Sequence, residues 1–209
     1  MFVRDIMTSP VISISPETRL QDAYRLMQEK GIRHFPVLAG ETLAGIITDR
    51  DLRLATSALS ASPFAPDSRV EEVMCRTPLT ADPADPVEDA ARTMRENKIG
   101  CLPVLDGGRL VGIVTGLDLL DALMRMTGVD KPSARMEVRL ADRPGELARL
   151  TADLSRRGQN IHSILTYPEG PQLLRVVLRV GSIETRLLAH ELRRDGFDVL
   201  WPPEKPWPR

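Results

Sequence analysis

Apolar residues return at the helical interval in two places along the chain: Leu20, Ala23 and Met27, then Val87, Ala90 and Met94, each set spaced i, i+3, i+7. Both stretches follow a breaker, Pro16-Glu17-Thr18 or Pro83-Ala84-Asp85, and both stop at a turn former, Gly31 or Asn97-Lys98, so each predicts one helix. Short, nearly continuous apolar runs come next. They predict strands at Phe35 to Leu38 and Leu43 to Thr48 around a turn at Ala39 to Thr42. The later copies are Leu102 to Leu105 and Leu110 to Thr115, around a turn at Asp106-Gly107-Gly108. A further helix is predicted from Asp49 and from Gly116.

These elements are a repeat. Val37 to Leu52 (VLAGETLAGIITDRDL) returns as Val104 to Leu119 (VLDGGRLVGIVTGLDL) at a constant offset of 67 residues. Without a gap, Met7 matches Met74, Pro16 matches Pro83, Asp22-Ala23 matches Asp89-Ala90 and Pro36 matches Pro103. The period exceeds the range of about 20 to 50 residues usual for stacked arrays, which points to one pair. A unit of roughly 55 residues buries too little apolar surface to stand comfortably alone, so the two copies are expected to complete one core together. The copies are assigned to residues 1–59 and 69–127. A linker at 60–68 falls within the Ala-, Ser- and Pro-rich stretch Thr56 to Ser68.

After a second linker at 128–133, polar and apolar residues alternate from Arg135 to Leu140 as in a half-buried strand. A helix from Gly145 to Arg157, strands at Ile161 to Tyr167 and Leu173 to Val180, a helix from Ile183 to Arg194 and a strand at Phe197 to Trp201 complete the order βαββαβ over residues 134–201. That order predicts a ferredoxin-like sandwich. Asp142 is placed to cap the first of these helices, with Pro144 in its first turn and Gly145 allowing close approach. The pairs Arg156-Arg157 and Arg193-Arg194 fall near helix ends, where basic residues complement the dipole, and read as solvated. The tail, 202–209, carries four prolines and cannot continue a ladder; Trp207 is expected to dock it.

Composition removes several classes of function. A formal net charge of -1 argues against nucleic acid or a membrane surface as the main partner. No leader-like start and no long apolar run is seen, so a cytoplasmic location is expected. The two cysteines, Cys75 and Cys101, lack disulfide or zinc spacing. His34, His162 and His190 are scattered, with no nucleophile set or phosphate-loop motif, so neither enzyme activity nor a metal or cofactor is expected.

The chemistry concentrates where each second strand ends: Gly45-Ile46-Ile47-Thr48-Asp49-Arg50-Asp51 and Gly112-Ile113-Val114-Thr115-Gly116-Leu117-Asp118. A hydroxyl and free N–H groups at a helix start suit a phosphate, and a carboxylate three residues on suits two ribose hydroxyls. The same spacing also suits a helix capping box, and the sequence leaves both readings open.

With the openings Val3-Arg4-Asp5-Ile6-Met7 and Val70-Glu71-Glu72-Val73-Met74 and the Pro-Val-Leu strands, residues 1 to about 127 resemble a tandem pair of cystathionine-β-synthase (CBS) domains. The resemblance implies a pseudo-twofold pair of βαββα units in an α+β fold, with clefts for AMP, ADP, ATP or S-adenosylmethionine. It assigns Thr48 and Thr115 to phosphate, Asp51 and Asp118 to ribose, and the segments after Met7 and Met74 to the flanks of adenine. Arg33 and His34 match phosphate-binding cations of some members. The second copy has Gly100 and Cys101 there, and Gly116 where the first has Asp49, so unequal clefts are expected.

Leu140 to Leu147, with Arg157-Gly158-Gln159-Asn160-Ile161, resembles an ACT domain. That implies an amino-acid site between paired subunits, lined by Asp142, Arg143, Pro144, Gly145, Glu146, Asn160 and Ile161. The combination resembles acetoin-utilisation proteins of the B type: a regulatory homodimer that senses ligands for an unidentified regulated protein. The competing expectation is a dimerising scaffold or enzyme subunit that binds no ligand.

Overall fold

The computed structural model describes residues 1–182 and 184–204. The start of the helix expected at Ile183 and the docking of Trp207 lie outside the described residues. The chain forms two compact units, Met1–Ala122 and Leu123–Arg209. The division falls inside a helix, five residues before the boundary expected after Thr127.

In the first unit each repeat builds the same elements. The first has α1 (Leu20–Lys30), β1 (His34–Ala39), β2 (Thr42–Thr48) and α2 (Asp49–Ala55); the second has α3 (Val87–Asn97), β3 (Cys101–Asp106), β4 (Arg109–Thr115) and α4 (Gly116–Thr127). The periodic residues Leu20, Ala23 and Met27 are buried on α1, as are Val87, Ala90 and Met94 on α3. Gly31 ends α1 in the left-handed region at φ 65°, whereas Lys98 ends α3 there at φ 55° without glycine's freedom. Each hairpin is antiparallel and shifts register at the same place, Val37/Leu38 and Val104/Leu105. The leading strand of the expected βαββα unit shrinks to one bridging residue, Ile14 on Val37 and Ala81 on Val104. A single bridge gives too little ladder to count as a strand.

The openings of the repeats are exchanged. Val3, fully buried, joins Ala81, Ala90, Met94, Leu102, Val104 and Val114 in the core of the second repeat, with Ile6 and Met7 against it. Val70 and Met74 join Leu20, Ala23, Met27, Phe35, Val37, Ile47 and Leu52 in the core of the first. Backbone hydrogen bonds fix the crossings: Val3 N–H donates to Asp85 (2.9 Å), Val70 N–H to Thr18 (2.8 Å), Thr8 N–H to Ile113 (2.9 Å), and Cys75 and Ile46 bond reciprocally (2.9 Å each). Residues 1–59 and 69–127 are therefore repeats in sequence, and in place of the one shared core expected the unit holds two, each completed by the other repeat's opening, with a small third cluster of Ile46, Cys101 and Ile113. Periodicity assigns an element's face and is silent about which core receives it.

The second unit holds β5 (Ala134–Ala141), α5 (Glu146–Arg156), β6 (Ile161–Pro168), β7 (Leu173–Val180), α6 (Arg186–Arg194) and β8 (Asp198–Trp201). The antiparallel sheet runs β6-β7-β5-β8, the ferredoxin-like order expected from βαββαβ. Met136, Val138 and Leu140 on β5 pack with Leu150 and Leu154 on α5 and Leu188 and Leu192 on α6. Two local expectations fail. The residue before α5 is Gly145 at φ 94°, with no side-chain cap, so Asp142 does not cap the helix and Pro144 lies outside it. Arg157 is three-quarters covered and bridges Asp153 of α5 to Glu191 and Asp195 beyond it, because a guanidinium fork holds several carboxylates at once. Arg193 likewise donates to the Val199 and Pro202 carbonyls (2.8 and 2.5 Å). Among the described residues no helix is long and apolar enough to cross a membrane.

Candidate functional site

Both Thr-x-x-Asp endings fold as reciprocal caps. The Thr48 N–H and hydroxyl donate to Asp51 Oδ2 (2.9 and 2.7 Å), and the Asp51 N–H donates back to Thr48 Oγ1 (3.2 Å). Thr115 and Asp118 repeat the pattern at 2.7, 2.7 and 3.4 Å. The capping reading is thus correct for both pairs. It does not exhaust the carboxylates, since every bond they accept in the boxes uses Oδ2, and among the described residues neither Oδ1 accepts a hydrogen bond.

The two pairs differ in what faces them. A cleft of about 890 Å³ opens along Thr115, Asp118 and Asp121 of the second repeat and along Arg33, His34 and Asp49 of the first. Pro10, Val11 and Ile12, after Met7, form an apolar flank. Thr48 and Asp51 do not line this cleft; beside Asp51 the second repeat presents the thiol of Cys101, a neutral group. Arg33 and His34 of the first repeat therefore share a cleft with the Thr-Asp pair of the second. Asp121, one helical turn beyond Asp118, was missed in the sequence, although its i+3 spacing from Asp118 was a signal.

The electrostatics are uneven in the same sense. The Arg33 guanidinium makes no hydrogen bond or ion pair among the described residues, while Asp49 is taken by Arg53 at 2.6 Å. Burial, with Arg33 beside it, holds the His34 imidazole below the ordinary histidine range, against the opposing pull of Asp49 and Asp51. At the equivalent place in the second repeat, burial and then Asp51 push the Cys101 thiol up to about 12. Gly100, equivalent to Arg33, has its own reason to lack a side chain: a Cβ there would stand 3.0 Å from His34 Nε2. Among the described residues no group of three or more His, Cys, Asp or Glu side chains could hold a metal ion.

The CBS domain family model matches residues 3–57 and 70–125, which hold both Thr-Asp pairs and both exchanged openings. The chain belongs to the CBS domain family. Three of the solved structures similar to it bear on the cleft. The CBS domain pair of protein MJ0100, in complex with 5-methylthioadenosine and S-adenosylmethionine, is 29% identical at a TM-score of 0.54, covering 63% of this chain and 98% of that one. The protein CBSX2 in complex with AMP is also 29% identical at 0.54, covering 60% and 97%. A putative acetoin utilization protein from Vibrio cholerae is 32% identical at 0.54, covering 62% and 95%.

Outside the CBS pair, the residues expected to form an amino-acid site are not brought together within one chain. Ala141, just before the Asp142–Glu146 loop, pairs with Leu173 at the start of β7; Ile161 pairs with Val180 at its end. Seven residues of strand separate the two places by roughly 23 Å. In the loop, Glu146 already accepts from Arg143 (2.7 Å) and Arg149 (3.1 Å), and these hydrogen bonds hold its carboxyl below the usual range.

Proposed function

We propose that the cleft between the CBS repeats binds an adenine nucleotide and that the chain is a regulatory sensor without catalytic activity of its own. Asp118 Oδ1 takes the ribose hydroxyls, the phosphate lies at the start of α4 beside Thr115, whose own N–H and hydroxyl are held by Asp118, and Arg33 and His34 face it from the first repeat. AMP, ADP and ATP suit this charge; S-adenosylmethionine, bound by one similar structure, is the competing ligand. The observation that carries the reading is an Arg33 guanidinium that, among the described residues, has no hydrogen-bond or ion-pair partner, in a cleft it shares with Asp118. Thr48 and Asp51, with the neutral Cys101 thiol beside Asp51, bind phosphate weakly or not at all.

The C-terminal unit is read as an ACT domain on its βαββαβ order and its Asp142–Glu146 loop. An amino acid touching both that loop and Asn160-Ile161 lies between two copies, which favours a homodimer. The exposed apolar residues Leu117 and Leu120 of α4 favour one too. The setting proposed is cytoplasmic, and the regulated protein is unidentified.

The test is thermal unfolding with AMP, ADP, ATP, S-adenosylmethionine and amino acids. A nucleotide at about 100 times its dissociation constant stabilises by about 2.7 kcal/mol, a shift of several degrees. Asp118→Ala abolishes the shift and Asp51→Ala preserves it. No shift with any compound rejects the sensor in favour of a dimerising scaffold.

A further inference from the structure

We propose that His34 makes the cleft selective for phosphate-bearing ligands by taking up a proton as such a ligand binds, an inference that rests on the nucleotide reading above. The placement of the imidazole carries it. His34 opens β1, lines the cleft beside Arg33, and has the room its Nε2 occupies because position 100 lacks a Cβ. A neutral imidazole has one N–H donor and one bare acceptor nitrogen; only the imidazolium presents two donors. A dianionic phosphate against that bare nitrogen is repelled until it is protonated.

The surrounding charges keep His34 poised ahead of ligand binding. Burial and then Arg33 favour the neutral ring, while Asp49 and Asp51 on α2 favour the cation. Asp118 and Asp121 on α4 line the same cleft, and Gly100 and Cys101 at the start of β3 bring no formal charge toward it. A bound phosphate adds negative charge to the side that favours the imidazolium and screens the ring from Arg33. The pKa therefore rises on binding, and affinity increases as pH falls through the bound-state value, levelling off below the free-state value. A rise of one unit makes the affinity at low pH about tenfold higher. An uncharged adenosine compound supplies no such charge and shows no such dependence.

Calorimetry of the full chain at pH 7, in two buffers of different ionisation enthalpy, counts the protons exchanged. AMP is expected to bind with net uptake in the unaltered protein, and 5-methylthioadenosine with none. The phosphate itself titrates near pH 6, and cations beside it lower that value, so the ligand can only release protons; uptake belongs to the protein. His34→Gln should lose the uptake and weaken AMP. Gly100→Ala, which keeps the histidine but crowds its Nε2, should reduce the proton count. The count in the unaltered protein stands even if a variant misfolds. AMP binding without uptake, or with the same count in His34→Gln, overturns this proposal and leaves the nucleotide reading intact. Binding of 5-methylthioadenosine alone overturns the selectivity, and binding of neither compound, nor of ADP or ATP, overturns both readings.

Discussion

Met7 lies across Gly112 so closely that a Cβ on the glycine would stand 2.6 Å from the methionine Sδ and 3.1 Å from the Thr8 carbonyl oxygen. Gly45 bears the same relation to Met74, with the Cys75 carbonyl oxygen at 2.6 Å. A thioether can swing aside more readily than a backbone carbonyl engaged in a bridge. Gly45→Ala is therefore expected to destabilise the CBS pair by about 2–3 kcal/mol and Gly112→Ala by about 1 kcal/mol. Urea unfolding checks the order; equal losses would show that the crossings yield alike.

The exchanged openings make a second prediction, because Val3 and Val70 are each fully buried in the other repeat's core. Truncating either to alanine removes two buried methyl groups and costs about 2 kcal/mol. Hydrogen exchange should accelerate most in β3 and β4 for Val3→Ala and in β1 and β2 for Val70→Ala. The reverse pattern would contradict the exchange.

Stability and binding should separate at the two Thr-Asp pairs. Asp51→Ala and Asp118→Ala each remove a reciprocal cap and should cost about 1 kcal/mol alike. Only Asp118→Ala is expected to abolish the nucleotide-induced shift. Equal losses of binding would mean that both pairs hold ligand.

The two thiols offer a chemical check on the unequal halves. Cys75 is exposed, whereas Cys101 is buried with its thiol pushed up to about 12. Since the thiolate is the reactive form, a maleimide at neutral pH should label one cysteine in the folded protein and both in denaturant. Fast native labelling of Cys101 would show that its surroundings are open to solvent.

In the C-terminal unit, hydrogen bonds from Arg175 and then Arg139 hold the Glu169 carboxyl down at about 2. A carboxylate depressed in the folded state contributes stability that is full above its ordinary value near 4.5 and is lost as pH falls toward 2. Unfolding midpoints of the wild type and Glu169→Gln should therefore differ above pH 5 and converge between about pH 4.5 and 2. A constant difference across that range would mean that Glu169 acts through packing instead.

The elements were legible because their signals are local. Leu173 to Val180 fills a strand with the bounds expected, and Gly31 ends its helix as expected. The partners were less so. Nothing near Arg33 in the sequence indicates that its cleft partners are Thr115 and Asp118, because the repeat suggests that each copy serves itself. The loop at Asp142 misled for a nearer reason: Gly145 in the left-handed region starts α5 later and leaves Asp142 outside the cap.

The crossing of Val3 and Val70 also bears on how such a chain is made. A protein with one repeat would have to lend its opening to a second molecule and receive one back before either core closed, so its folding would depend on concentration. Two repeats in one chain turn that loan into an internal one, at a local concentration in the millimolar range for a short connection. Synthesis then becomes asymmetric. The first repeat leaves the ribosome lacking Val70 and Met74 and must wait open for them, while the second is born with Val3 already in hand.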